Sequence, residues 1–92
     1  MKAVKLTISG KVQGVGYRRW FAQHAVALGL KGYVLNLDSG AVEALLLGDD
    51  GTVAELVNHA KVGPTHAVVK DVVIVELASE QQSFTAFEIR RE

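Results

Sequence analysis

Two hydrophobic periods alternate along this chain, and their order leaves few folds open. Residues 3–9 (A-V-K-L-T-I-S) set Val4, Leu6 and Ile8 against Lys5, Thr7 and Ser9. That is the twofold repeat of a strand with one apolar face. From Arg18 to Leu28 the repeat lengthens. Phe21, Ala25 and Leu28 fall at i, i+4 and i+7, and Gly29 stands where a helix C-cap belongs. Residues 31–37 (K-G-Y-V-L-N-L) and 41–47 (A-V-E-A-L-L-L) return to short apolar runs around the turn Asp38-Ser39-Gly40, which predicts a β-hairpin. Thr52 and Glu55 have the spacing of a capping box. Val53, Leu56, Val57 and Ala60 then make a second helical stripe, ended by Gly63-Pro64 after about Val62. The valine-rich residues 67–77 and the alternating residues 84–90 predict two more strands.

The order β-α-β-β-α-β plus a C-terminal strand is the split βαβ, ferredoxin-like arrangement of the α+β class. Each helix must bury its stripe, so both are expected on one face of an antiparallel sheet. Right-handed crossovers give the order 4-1-3-2 for the first four strands and leave the fifth unplaced. A chain of 92 residues suits one domain, 1–92. With 49% hydrophobic and 22% charged residues it has enough apolar surface for a core. This fold hosts many unrelated functions, so function has to come from a site.

Charge and composition exclude several classes of site. Ten Lys and Arg balance ten Asp and Glu, which disfavours nucleic acid or an acidic membrane as a general partner. An RNA-binding domain of this topology carries stacking aromatics on its central strands; residues 3–9 and 41–47 carry none. There is no cysteine, hence no disulfide, thiolate metal site or thiol nucleophile. His24, His59 and His66 are too scattered to suggest a zinc site, and His24 and His59 read as surface or packing residues. The serines have no base at a motif spacing. The N-terminus alternates instead of forming an apolar leader, and no stretch approaches a membrane span, so the expected compartment is the cytoplasm. The valine-rich strand could pair edge to edge in a dimer or be protected as an edge by Lys70 and Asp71, and a monomer is the default expectation.

The segment that carries chemistry is Gly10-Lys11-Val12-Gln13-Gly14-Val15-Gly16-Tyr17-Arg18, between a strand and a helix. Glycines at 14 and 16 let backbone N–H groups converge where no side chain blocks approach. A helix start adds unpaired N–H groups and a partial positive charge. An arginine on that first turn opposes the macrodipole unless an anion binds. The segment therefore reads either as a tight connection bearing a surface arginine or as a cradle for a phosphate-sized anion. Asn36 is the second such residue. Asn is depleted in strands, so it either prepares the turn that follows or presents an amide that can orient a water without taking its proton. Arg90 and Arg91 read as a solvated edge, and Asp49-Asp50 as a solvated turn.

The run G-K-V-Q-G-V-G-Y-R resembles the signature of the acylphosphatase family, and G-Y-V-L-N-L-D-S-G-A-V-E (residues 32–43) is similar to that family's second signature. The separation of the two fits, as does the ending G-P-T-H…F-T-A-F-E-I-R, so the resemblance spans essentially the whole chain. It implies hydrolysis of small-molecule acyl phosphates to a carboxylate and inorganic phosphate, with no metal and no organic cofactor. By position it makes Arg18 the phosphate-binding arginine, the loop Gln13, Gly14, Val15, Gly16 and Tyr17 its backbone cradle, and Asn36 the residue that positions the attacking water. Tyr17 stands where phenylalanine is more usual and is expected to add a hydroxyl at the loop. Leu35 and Asp38-Ser39 vary the stretch around Asn36. Neither motif offers an obvious carboxylate base, so the substrate's own phosphate is expected to accept the water's proton. The competing reading is a non-catalytic, phosphate-binding regulatory module of the same fold.

Overall fold

The computed structural model describes residues 1–91. Its elements are β1 (Lys2–Lys11), α1 (Tyr17–Ala27), β2 (Lys31–Asn36), β3 (Val42–Gly48), α2 (Asp50–Ala60), β4 (Val68–Leu77), a single 3-10 turn at Ser79–Gln81, and β5 (Phe87–Arg90). The sheet runs β4-β1-β3-β2-β5, which contains the expected 4-1-3-2 order. The sheet is not wholly antiparallel. β5 joins the outer edge of β2 in parallel, Gly32 opposite Phe87 and Leu35 opposite Arg90. The reason lies in the preceding segment, which has to pass from β4 at one edge to β2 at the other. Phe84 is used on the way, packing on Tyr33 at 5.9 Å between ring centres, so β5 is shorter than the alternation over 84–90 suggests.

One face of the sheet takes both helices. Val4, Leu6 and Ile8 of β1, Val34 of β2, and Val42, Ala44 and Leu46 of β3 form one core with Phe21 and Ala25 of α1 and Val53, Leu56 and Ala60 of α2. The two helical stripes and the strand alternation thus converge, as their periods require. A smaller cluster of Ala3, Leu45 and Leu47, with Tyr33, Leu77 and Phe84 packed on it, lies on the opposite face.

The start of α2 corrects the expected capping box. Asp49, not Thr52, is the N-cap: its Oδ2 accepts from the backbone N–H groups of Gly51 (3.0 Å) and Thr52 (3.4 Å). A short carboxylate reaches those orphan donors directly and favours the positive end of the helix. Thr52 lies inside the first turn and donates its hydroxyl to the Asp49 carbonyl at 3.0 Å.

Candidate active site

The link from β1 to α1 is shaped by two left-handed residues, Gly14 (φ 73°) and Gly16 (φ 78°). A Cβ at either would meet nothing within 4 Å, so backbone conformation, not crowding, requires glycine there. Gly16 is the N-cap of α1, with no side-chain cap and no acidic residue in the first turn. The first N–H groups of the helix are thereby left for another acceptor. Arg18 follows in that turn. It is half-buried, and Nη1 donates to the Arg90 carbonyl at 3.1 Å. The end of β5 holds the guanidinium in place.

Asn36 closes β2. The alternation along that strand puts it on the same face as the fully buried Val34, toward the helices. Its Oδ1 is buried and, among the described residues, no donor reaches it. Such an orphan costs about 1–3 kcal/mol, and orphans of this kind in native structures call for a specific reason. Asn36 lines a cavity of about 370 Å³ whose wall also contains Arg18, together with Gln13, Gly14, Gly16 and Tyr17. Arg19 and Arg91 also line it, and among the described residues no carboxylate does. Three arginines lining one small cavity make it attractive to a multiply charged anion.

Individual loop residues differ in what they contribute. The Gln13 side chain turns to the β2–β3 hairpin, where Nε2 donates to the carbonyls of Leu37 (2.8 Å) and Ala41 (2.9 Å). Val15 is absent from the cavity wall and packs against the core. The Tyr17 hydroxyl does not sit at the loop. It is buried and donates to the Ala60 carbonyl at the end of α2, at 2.7 Å. Burial pushes its ionisation well above the ordinary tyrosine range. Arg91, expected on a solvated edge, lines the cavity because β5 runs beside α1. Arg19 and Ile89 were also missed. Arg19 was legible as the neighbour of Arg18, whereas Ile89 and Arg91 depend on where β5 pairs. His24 and His59 behave as packing residues: their rings lie 4.9 Å apart between the helices, with Trp20 4.7 Å from His24. Among the described residues, no three His, Asp or Glu side chains gather as a metal site.

The arrangement can hold a phosphoryl group against backbone N–H groups and a guanidinium, with a neutral amide at the same cavity. Comparison with known proteins points the same way. The family model named Acylphosphatase matches residues 4–89. An acylphosphatase of Methanocella arvoryzae is 42% identical over 90 residues, covering 98% of this chain and 100% of its own length. One of Caldivirga maquilingensis is 47% identical over 88 residues, covering 95% and 92%. The crystal structure of acylphosphatase from Bacillus subtilis superposes with a TM-score of 0.93 at 31% identity, covering 98% of this chain and 99% of that one.

Proposed function

This chain belongs to the acylphosphatase family and is a hydrolase of acyl phosphates, and we propose that Arg18 and the Gln13–Tyr17 loop hold the phosphoryl group while Asn36 positions the attacking water. The observation that carries this reading is that Asn36, whose buried Oδ1 has no partner among the described residues, lines the same cavity as Arg18. An amide oxygen there accepts a hydrogen bond from water and leaves an oxygen lone pair free to attack. A binding module would need the cradle alone. The family relationship, at full length, likewise favours the hydrolase over a regulatory anion-binding module.

The chemistry asks little of an acid or a base. The leaving group is a carboxylate whose conjugate acid has a pKa of about 4, so it departs without protonation. Water attacks phosphorus, the P–O bond to the acyl group breaks, and the electron pair leaves on the carboxylate. The water's proton passes to a phosphoryl oxygen, giving inorganic phosphate. Charge on the equatorial oxygens is met by the Arg18 guanidinium and the N–H groups at the start of α1. Phosphoryl transfer is accelerated mainly by such positioning and electrostatics. The three lining arginines supply positive charge of the kind a divalent ion provides in other phosphoryl-transfer sites, in keeping with a reaction that proceeds without a metal or an organic cofactor.

Residues 1–92 are taken as one catalytic domain acting as a cytoplasmic monomer on a small molecule, without nucleic acid. Zero net formal charge supports the last point. No helix among the described residues is long and apolar enough to cross a membrane. A β-bulge between Ser9 and Gly10 interrupts the β1–β4 ladder beside Lys70 and Asp71, which disfavours pairing of this edge with a second copy.

The test is hydrolysis of benzoyl phosphate with and without EDTA. Hydrolysis that EDTA leaves unchanged, with inorganic phosphate as a competitive inhibitor, is the expected result. Folded protein that releases no phosphate from benzoyl phosphate would overturn the reading.

A further inference from the structure

A second, shallower cavity adjoins the first, and two residues belong to both. Arg19 and Ile89 line the phosphate cavity and also a groove of about 470 Å³ between α1 and β5. The rest of the groove is Ala22, Gln23, Val26 and Ala27, one face of α1 in which only Gln23 is polar. Val26 is 64% exposed and Ile89 46%. Two large aliphatic side chains beside a cavity lined by three arginines are unusual company and call for an explanation that a lone surface valine does not.

The geometry points to this groove as the subsite for the acyl part of the substrate, and to acyl phosphates with an apolar, aromatic or branched acyl group as the preferred class. The inference rests on the phosphate site proposed above. In-line displacement puts the attacking water and the leaving oxygen on opposite sides of phosphorus. Asn36 lines only the first cavity, while Ala22 and Val26 line only the groove. With water held at Asn36, the acyl group leaves the phosphate cavity on another side, and the side formed by Arg19 and Ile89 borders an apolar surface. The groove is open, so its contribution belongs at the low end for apolar contacts, about tenfold in specificity.

The experiment compares kcat/KM for benzoyl phosphate with that for acetyl phosphate, in the wild type and in the Val26→Glu and Ile89→Thr variants. Both substrates present the same phosphoryl charge, so the electrostatic effect of a new carboxylate largely cancels in the ratio. Val26 is exposed on a helix, where glutamate is well tolerated. Ile89→Thr keeps a β-branched residue in β5 should the first change perturb the helix. The expected result is a wild-type ratio well above one that falls about tenfold in Val26→Glu and severalfold in Ile89→Thr. A ratio within twofold of wild type in both variants would overturn the subsite while leaving the phosphate site intact. A wild type that hydrolyses neither substrate would instead strike at the proposed function.

Discussion

The Nε2 of Gln13 lies 2.8 Å from the carbonyl oxygen of Leu37, and so ties the phosphate loop to the residue that follows Asn36. The same amide group donates to Ala41 across the neck of the hairpin, at 2.9 Å. The loop that would bind phosphate and the strand that would hold water are therefore one mechanical unit.

Gln13→Ala is expected to lower kcat by about tenfold to a hundredfold, the cost of a small misplacement of a positioned group. It also removes two hydrogen bonds, although both carbonyls keep a backbone donor (Gly40 N–H to Leu37, Leu37 N–H to Ala41), so stability falls by about 0.5–1.5 kcal/mol per bond lost. Steady-state kinetics beside a urea titration separates the two effects. A stability loss without any change in kcat would deny Gln13 a positioning role.

Asn36→Ala and Arg18→Ala should differ in kind. Loss of the Asn36 amide removes an interaction with water alone, so kcat falls by about 10² or more while inhibition by phosphate changes little. Loss of Arg18 removes about two charged hydrogen bonds to the phosphoryl group, roughly 1.5–3 kcal/mol each. Phosphate inhibition and kcat/KM then fall together, each by at least about a hundredfold. Full activity in a folded Asn36→Ala variant would remove the water-positioning role.

Tyr17→Phe should act on stability. The hydroxyl bonds a carbonyl at the end of α2 in the core, and its removal leaves that buried acceptor unpaired at a cost of about 1–3 kcal/mol. For a domain of this size the midpoint of thermal unfolding should fall by roughly 4–8 °C per kcal/mol. Calorimetry of the two proteins gives the answer.

Both tyrosines of the chain should resist ionisation in the folded state. Burial raises Tyr17. Tyr33 is pushed up to about 12, first by burial and then by its 2.8 Å hydrogen bond to Glu43 and that carboxylate's charge, against the opposing Arg90. The unfolded chain ionises near the ordinary value of about 10. A raised folded value means stability is fully present below pH 10 and is lost as pH rises from about 10 through about 12. Spectrophotometric titration should show no tyrosinate in the folded protein at pH 10 and partial ionisation in denaturant. A folded-state midpoint near 10 would refute the burial of these hydroxyls.

What could be read in the sequence was whatever depends on near neighbours along the chain. Alternation at Val4, Leu6 and Ile8 and the helical stripes at Phe21 and Val53 fix local structure and the face each element buries. Those faces, with the handedness of crossovers, fix the order of four strands. The loop before Arg18 and the odd placement of Asn36 in a strand were legible for the same reason, since a glycine pair and a strand amide are local departures from pattern. The N-cap at Asp49 was missed because Thr52 and Glu55 satisfied a pattern that a nearer carboxylate overrides. Only the tertiary structure could place β5, because parallel pairing with β2 depends on a crossing segment anchored by Phe84 on Tyr33, a contact between residues 51 positions apart. From that one decision follow the Arg90 carbonyl that holds Arg18, the arrival of Arg91 at the cavity, and the groove beside Ile89. The inward turn of the Tyr17 hydroxyl was decided the same way, by a carbonyl that α2 presents from 43 residues away. Periodicity specifies which face is buried. It cannot specify which distant backbone group will meet a given side chain there.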